Sequence, residues 1–179
     1  MISYLGNSII FISLVLTISF YLNLLRKIIP STTLSLKLIY YINLIPFGLL
    51  VYAFSISDFT LLNVVENSYI DDPIFYKVTS AWGSHEGSIL LWVFLINLFG
   101  VFFLYKNQTV EIHKNILFIS TLFILYVIIS SNPFTYVEAN EDILGLGLNP
   151  ILQHFLFAIH PPTLFLGYIG LIIPFVISA

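Results

Sequence analysis

Ser88-Ile-Leu-Leu-Trp-Val-Phe-Leu-Ile-Asn-Leu-Phe-Gly-Val-Phe-Phe-Leu-Tyr105 contains no Asp, Glu, Lys, Arg or His. A continuous apolar run of about 20 residues, wound as a helix, crosses a hydrocarbon core about 30 Å thick. Membrane strands alternate apolar and polar side chains; this run does not, so it predicts a helix. Four other runs read the same way, and the expected spans are about 5–25, 38–56, 88–105, 115–131 and 163–179. The first has no basic residue ahead of it and no small-residue cleavage site behind it, so it reads as a retained span. Pro46 and Pro174 fall inside spans, where neighbouring helices can shield the backbone groups they free. The expected architecture is all-α: a polytopic helical membrane protein, with residues 1–179 forming one membrane domain.

Composition agrees. A soluble domain carries about 25% charged residues, and this chain carries 8%, with 59% hydrophobic and 17% aromatic. That balance excludes a soluble fold, a disordered chain and a surface for nucleic acid; the natural partner of such a chain is the lipid bilayer. The net charge of -3 implies no charged partner. With no Cys, disulfides, zinc–thiolate sites, iron–sulfur clusters and thiol nucleophiles are excluded. Heavy use of Phe, Tyr, Ile, Leu and Asn is the bias of an AT-rich genome, as many mitochondrial genomes are.

Loop charge gives an orientation. Loop 26–37 holds Arg26, Lys27 and Lys37 and no acid, and loop 106–114 holds Lys106 and Lys114 beside Glu111 and His113. Loop 57–87 holds Asp58, Glu66, Asp71, Asp72 and Glu86 against Lys77 alone. Loop 132–162 holds Glu138, Glu141 and Asp142 and no base. Five of the six basic residues share one side, which the positive-inside rule assigns to cytoplasm or matrix. The N-terminus and both acidic loops are expected outside.

Chemistry concentrates in those two outer loops. The first ends in Ala81-Trp-Gly-Ser-His-Glu-Gly-Ser88. Gly83 and Gly87 let the backbone turn tightly against a neighbour or a flat ligand, and His85 and Glu86 are adjacent titratable groups. One reading is an interfacial anchor, with Trp82 in the aromatic belt and Ser88 capping the next helix; the other is a ligand-binding turn. The second loop ends in Leu148-Asn-Pro-Ile-Leu-Gln-His-Phe-Leu-Phe-Ala-Ile-His-Pro-Pro-Thr163. Pro161 biases His160 toward an extended backbone, and Pro162 suits the first position of the fifth span. Among Phe155, Phe157 and Ile159, the His160 imidazole could ligate a metal such as haem iron, or serve only as a hydrogen-bonded histidine at the helix start. His154 reads as a loop residue and His113 as a solvated surface residue. Hydrolase, zinc-protease, Walker and dinucleotide motifs do not occur. The spans carry no ionisable residue at depth, which disfavours a proton pump or cation channel, and a lack of polar residues within them disfavours a transporter.

Several stretches, in this order, resemble the N-terminal part of the cytochrome c maturation protein F family, the haem lyase component of a multi-protein system. They are Gly6-Asn7, Asp58-Phe59-Thr60, Trp82-Gly-Ser-His-Glu-Gly-Ser-Ile-Leu-Leu-Trp92, Ser131-Asn-Pro-Phe134, Leu148-Asn-Pro-Ile-Leu-Gln153 and Ala158-Ile-His-Pro-Pro162. The resemblance implies a membrane protein that receives haem b from a haem chaperone on the outer face. It implies joining of the haem vinyl groups to the thiols of a Cys-x-x-Cys-His motif in apocytochrome c. His160 matches the family histidine that serves as one axial ligand; no metal other than haem iron is implied. The Trp82–Trp92 stretch, with Gly83, His85, Glu86 and Gly87, matches a signature that is either part of the haem site or structural, as do Pro161 and Pro162.

The departures matter. His154 stands where the family usually has an acidic residue. The family's Trp-rich segment and second outer histidine are missing, as are haem-ligating histidines within spans. The resemblance therefore implies the first portion of a split haem lyase in the mitochondrial inner membrane, completed by further chains and inactive alone. A bacterial plasma membrane is the alternative location, and a non-catalytic structural subunit of a respiratory or assembly complex the alternative function.

Overall fold

The computed structural model describes residues 1–26, 33–106, 109–138 and 144–178. Lys27, Glu141 and Asp142, used above to read orientation, lie outside them. Among the described residues the chain forms α1 (Ile2–Arg26), α2 (Thr33–Ser55), α3 (Leu62–Asn67), α4 (Ile74–Gly83), α5 (His85–Tyr105), α6 (Val110–Ser130), a 3-10 turn (Pro150–Leu152) and α7 (Phe155–Ser178). Helices α1, α2, α5, α6 and α7 are long and apolar enough to cross a membrane. Lipid offers the backbone no hydrogen bonds, and a helix satisfies them internally.

The five expected spans are present, but each helix starts before its apolar run: at residues 2, 33, 85, 110 and 155 instead of 5, 38, 88, 115 and 163. The apolar run marks what lipid demands. The helix itself continues through a polar first turn until a cap or a break stops it. Pro46 and Pro174 lie within α2 and α7, as expected.

Helices α1, α2, α5 and α6 form a bundle, with α2 packed on α5, α1 on α6, α5 on α6 and α1 on α2. At its centre the spans are not devoid of polar residues, contrary to the reading that disfavoured a transporter. Asn43 Nδ2 donates to Thr17 Oγ1 at 3.1 Å and to Asn97 Oδ1 at 2.9 Å. Asn97 Nδ2 in turn donates to Ser120 Oγ and to the Val93 carbonyl, both at 2.8 Å. Thr17, Asn43, Asn97 and Ser120 belong to four different helices, and all four side chains are buried. They tie one another together across the bundle. Helix α7 lies outside this bundle, against α4, α5 and α6.

The basic end corrects a second expectation. His113 is only 3% exposed, in the first turn of α6, and its Nδ1 lies 3.0 Å from the Tyr40 hydroxyl. Its surface reading came from its neighbour Lys114, which pairs with Glu111. Consecutive helical residues, however, point about 100° apart, so His113 faces the bundle while Lys114 does not. The Tyr40 ring occupies the space that a side chain at Gly100 would take.

The opposite end gathers the N-terminus and both acidic loops. Ser3 Oγ and Asn7 Nδ2 donate to the Phe134 carbonyl at 2.7 and 3.0 Å, and Asn132 Nδ2 donates to Asn7 Oδ1 at 2.7 Å. The Phe134 ring lies where a Gly6 side chain would be. An isolated antiparallel bridge joins Leu61 to Tyr136, with Leu62 N–H on the Thr135 carbonyl and Val137 N–H on the Thr60 carbonyl, each 3.0 Å.

Candidate functional site at the acidic end

The corner between α4 and α5 is built by Ser84, whose Oγ accepts the Gly87 N–H at 3.0 Å. Ser84, not Ser88, caps α5. Because the helix begins at His85, a capping oxygen must stand at residue 84 to reach the N–H three residues on. Ser88 Oγ instead donates to the His85 carbonyl at 2.8 Å. Gly87 is there for close approach: a Cβ would collide with the Ala81 carbonyl of α4. Neighbouring backbone, not a flat ligand, is what this glycine admits. Glu86 sits half-buried in the first turn of α5, where the helix dipole favours an anion. His85 is exposed.

Trp92, ten residues along the same motif, stacks on Phe123 of α6 at 5.4 Å between centroids and on Tyr168 of α7 at 6.1 Å. Phe165 adds a tilted contact at 5.6 Å. Trp92 is thus a packing residue that seats α7 on α5 and α6.

Ahead of α7 the chain wraps on itself. Asn149 Oδ1 accepts the Ile151 N–H at 3.1 Å, and Gln153 Nε2 donates to the Leu148 carbonyl at 2.8 Å. Tyr76 of α4 donates to the Gln153 carbonyl at 3.3 Å. His154, the expected loop residue, stands just before α7. Its Nδ1 accepts the Leu156 N–H at 3.2 Å and its carbonyl the Ala158 N–H at 3.1 Å.

His160 is neither extended nor at the helix start. It lies in the second turn of α7, and Pro161 and Pro162 lie inside the helix after it. The capping groups of His154 allow the helix to begin eight residues before the expected boundary, so the prolines interrupt it instead of opening it. The Trp82 indole Nε1–H donates to the Ala158 carbonyl at 2.8 Å. The first and second motifs are therefore in direct contact.

The His160 imidazole is exposed and lines an open groove of about 540 Å³ with His154, Leu156 and Ile159. Ligand sites combine apolar walls with a few placed polar groups; here Leu156 and Ile159 stand beside the two imidazoles in a groove that is open on one side. Phe155 is exposed in the first turn of α7, whereas the Phe157 side chain lies outside the described groups. Neither His85 nor Glu86 belongs to the described lining. Sequence reading missed two features: that His154 shares the groove, and that Trp82 reaches Ala158. The six-residue spacing of His154 and His160 gave no signal for the first, since on one continuous helix it turns the two side chains about 240° apart.

Fold and groove together define a multi-pass α-helical membrane protein with a histidine-lined groove at its acidic end. Residues 82–179 match the family described as cytochrome C assembly protein. The chain is 44% identical over 125 residues to cytochrome c-type biogenesis protein CycK of Bradyrhizobium diazoefficiens, across 66% of this chain and 19% of that protein. It is 39% identical over 137 residues to CcmF of Haemophilus influenzae, across 73% of this chain and 21% of that one. It shares a fold with the solved cytochrome c heme lyase CcmF, at a TM-score of 0.80 over 98% of this chain and 29% of that chain, with 21% identity. This chain belongs to the cytochrome c assembly protein family, among the CcmF and CycK proteins. It spans about a fifth of the length of those curated relatives.

Proposed function

We propose that this chain is a subunit of a cytochrome c haem lyase, handling haem on the outer membrane face for covalent attachment to apocytochrome c. The observation that carries the reading is His160: an exposed imidazole on an anchored helical turn, facing an apolar groove of about 540 Å³. A neutral imidazole there presents a lone pair to the iron of haem b, received as substrate. Fixing the porphyrin from one axial side orients its vinyl groups toward the two thiols, and misplacement by about 1 Å can cost on the order of a hundredfold in rate. The second histidine and the Trp-rich segment lie outside these 179 residues, and the haem chaperone and apocytochrome c meet the complex at this end. The bias toward Phe, Tyr, Ile and Asn supports the mitochondrial inner membrane as its location, with a bacterial plasma membrane as the alternative.

The test is His160→Ala in the complete complex. The expected result is a loss of the haem spectrum and of holocytochrome c yield at unchanged chain abundance, with partial recovery in added imidazole. Normal yield at normal expression would remove His160 from the mechanism and favour a structural subunit.

A further inference from the structure

Of the five spans, α7 is the least held: 12% of it is buried, against 22% of α1 and 56% of α5. Yet it carries His160, whose position must be fixed if it is to present a ligand face. The second turn of α7 is also weakened from within. In an α-helix the Ala158 carbonyl would accept the N–H of residue 162, and in a tighter 3-10 turn that of residue 161. Both residues are proline, and neither has an N–H. Ala158 is only 4% exposed, so its carbonyl is poorly placed to turn to water, and a buried unpaired carbonyl is costly.

The donor that replaces both is the Trp82 indole N–H, at 2.8 Å. Trp82 is in the last turn of α4, and that turn is rigid for reasons already given: the Ser84 cap and the contact of Gly87 with the Ala81 carbonyl. Gly83 leaves the adjoining space to Leu148 and Leu152, whose methyl carbons would lie 3.3 and 3.5 Å from a Cβ there. The α4–α5 corner is thus tied to the carbonyl that the two prolines deprive of both its α-helical and its 3-10 donor, two residues before His160.

We propose that Trp82 is a positioning residue for His160, fixing the height and roll of its turn through the Ala158 carbonyl. The proposal rests on the reading of His160 as haem ligand, and its test separates the two. Trp82→Phe keeps an aromatic ring and removes the donor. In the purified complex without haem, amide hydrogen exchange of segment 155–165 should rise at least fivefold while that of α5 is unchanged. With haem supplied, occupancy should fall at least fivefold and the ligation spectrum move toward that of His160→Ala. A role in bulk packing alone would lower abundance without altering ligation. Pro162→Ala returns a helical donor to Ala158; in that background Trp82→Phe should change exchange less than twofold. If Trp82→Phe lowers abundance, adding Pro162→Ala should restore it, and failure to restore it overturns the proposal. Unchanged exchange in Trp82→Phe also overturns it, whatever haem does. A haem spectrum indifferent to His160→Ala overturns the ligand reading, and the exchange result still judges Trp82.

Discussion

Asn97 shows how much one polar residue can carry in an apolar run. Its amide donates to Ser120 and Val93 and accepts from Asn43, so α2, α5 and α6 meet at a single side chain. Interhelical hydrogen bonds in membranes contribute roughly 0.6 kcal/mol on average and up to about 1.7. Asn97→Leu removes two of them, and the expected loss is about 1–2 kcal/mol, measured as the unfolding midpoint in mixed micelles. Asn97→Ser, which keeps a hydroxyl, should lose less. Gly87→Ala tests a different physics at the same scale. Its Cβ meets backbone at Ala81, which cannot rotate away, so the expected outcome is a marked fall in membrane-inserted protein; Gly48→Ala, where nothing lies within reach, should be silent in the same immunoblot.

At the scale of elements, motifs far apart in sequence turn out to be the two halves of single contacts. Gly6-Asn7 meets Ser131-Asn-Pro-Phe134, and Asp58-Phe59-Thr60 is an Asx turn whose Thr60 Oγ1 donates to Asp58 Oδ1 at 2.6 Å. Asn132→Ala removes the donor to Asn7 and the acceptor for the Phe134 N–H. A typical hydrogen bond contributes about 1 kcal/mol. Hydrogen exchange in the first turn of α1 should therefore quicken by about fivefold or more, with α5 unaffected. Five spans were legible because lipid imposes a length and an apolarity that any reading can count. Helix starts were not, because caps such as Ser84 and His154 act by geometry that becomes visible only once the neighbouring turn is placed. His113 was misread for a related reason: the charge beside it in sequence says nothing about which way a helical side chain points. His160 was legible as a candidate from its place before Pro161-Pro162 among apolar residues and from its match to the family histidine. Its groove was not, since it is lined by residues before and within the first turns of α7, whose start lies eight residues ahead of the apolar run.

For the whole molecule, the acidic and basic ends are physically opposite, which makes orientation a measurable property. Cysteines placed at Ile70 and Tyr136, both exposed, should react from one side of the membrane and a cysteine at Tyr105 from the other. Labelling of the first two from the matrix or cytoplasmic side would reverse the orientation proposed from loop charge. A haem held from both axial sides needs two ligands, and the purified chain alone is expected to show no stoichiometric bis-histidine spectrum; observing one would place the second ligand within these residues. The buried polar knot has a consequence for the order of events in synthesis. Its last contributor, Ser120, belongs to a helix that is complete at Ser130, before any residue of α7 has been made. Chains are assembled from the N-terminus, so the platform on which Trp82 and Trp92 stand can close and settle its register first. The histidine-bearing helix then arrives as a late guest at a finished berth, and an error in the knot would be inherited by the acidic end without any residue there having changed.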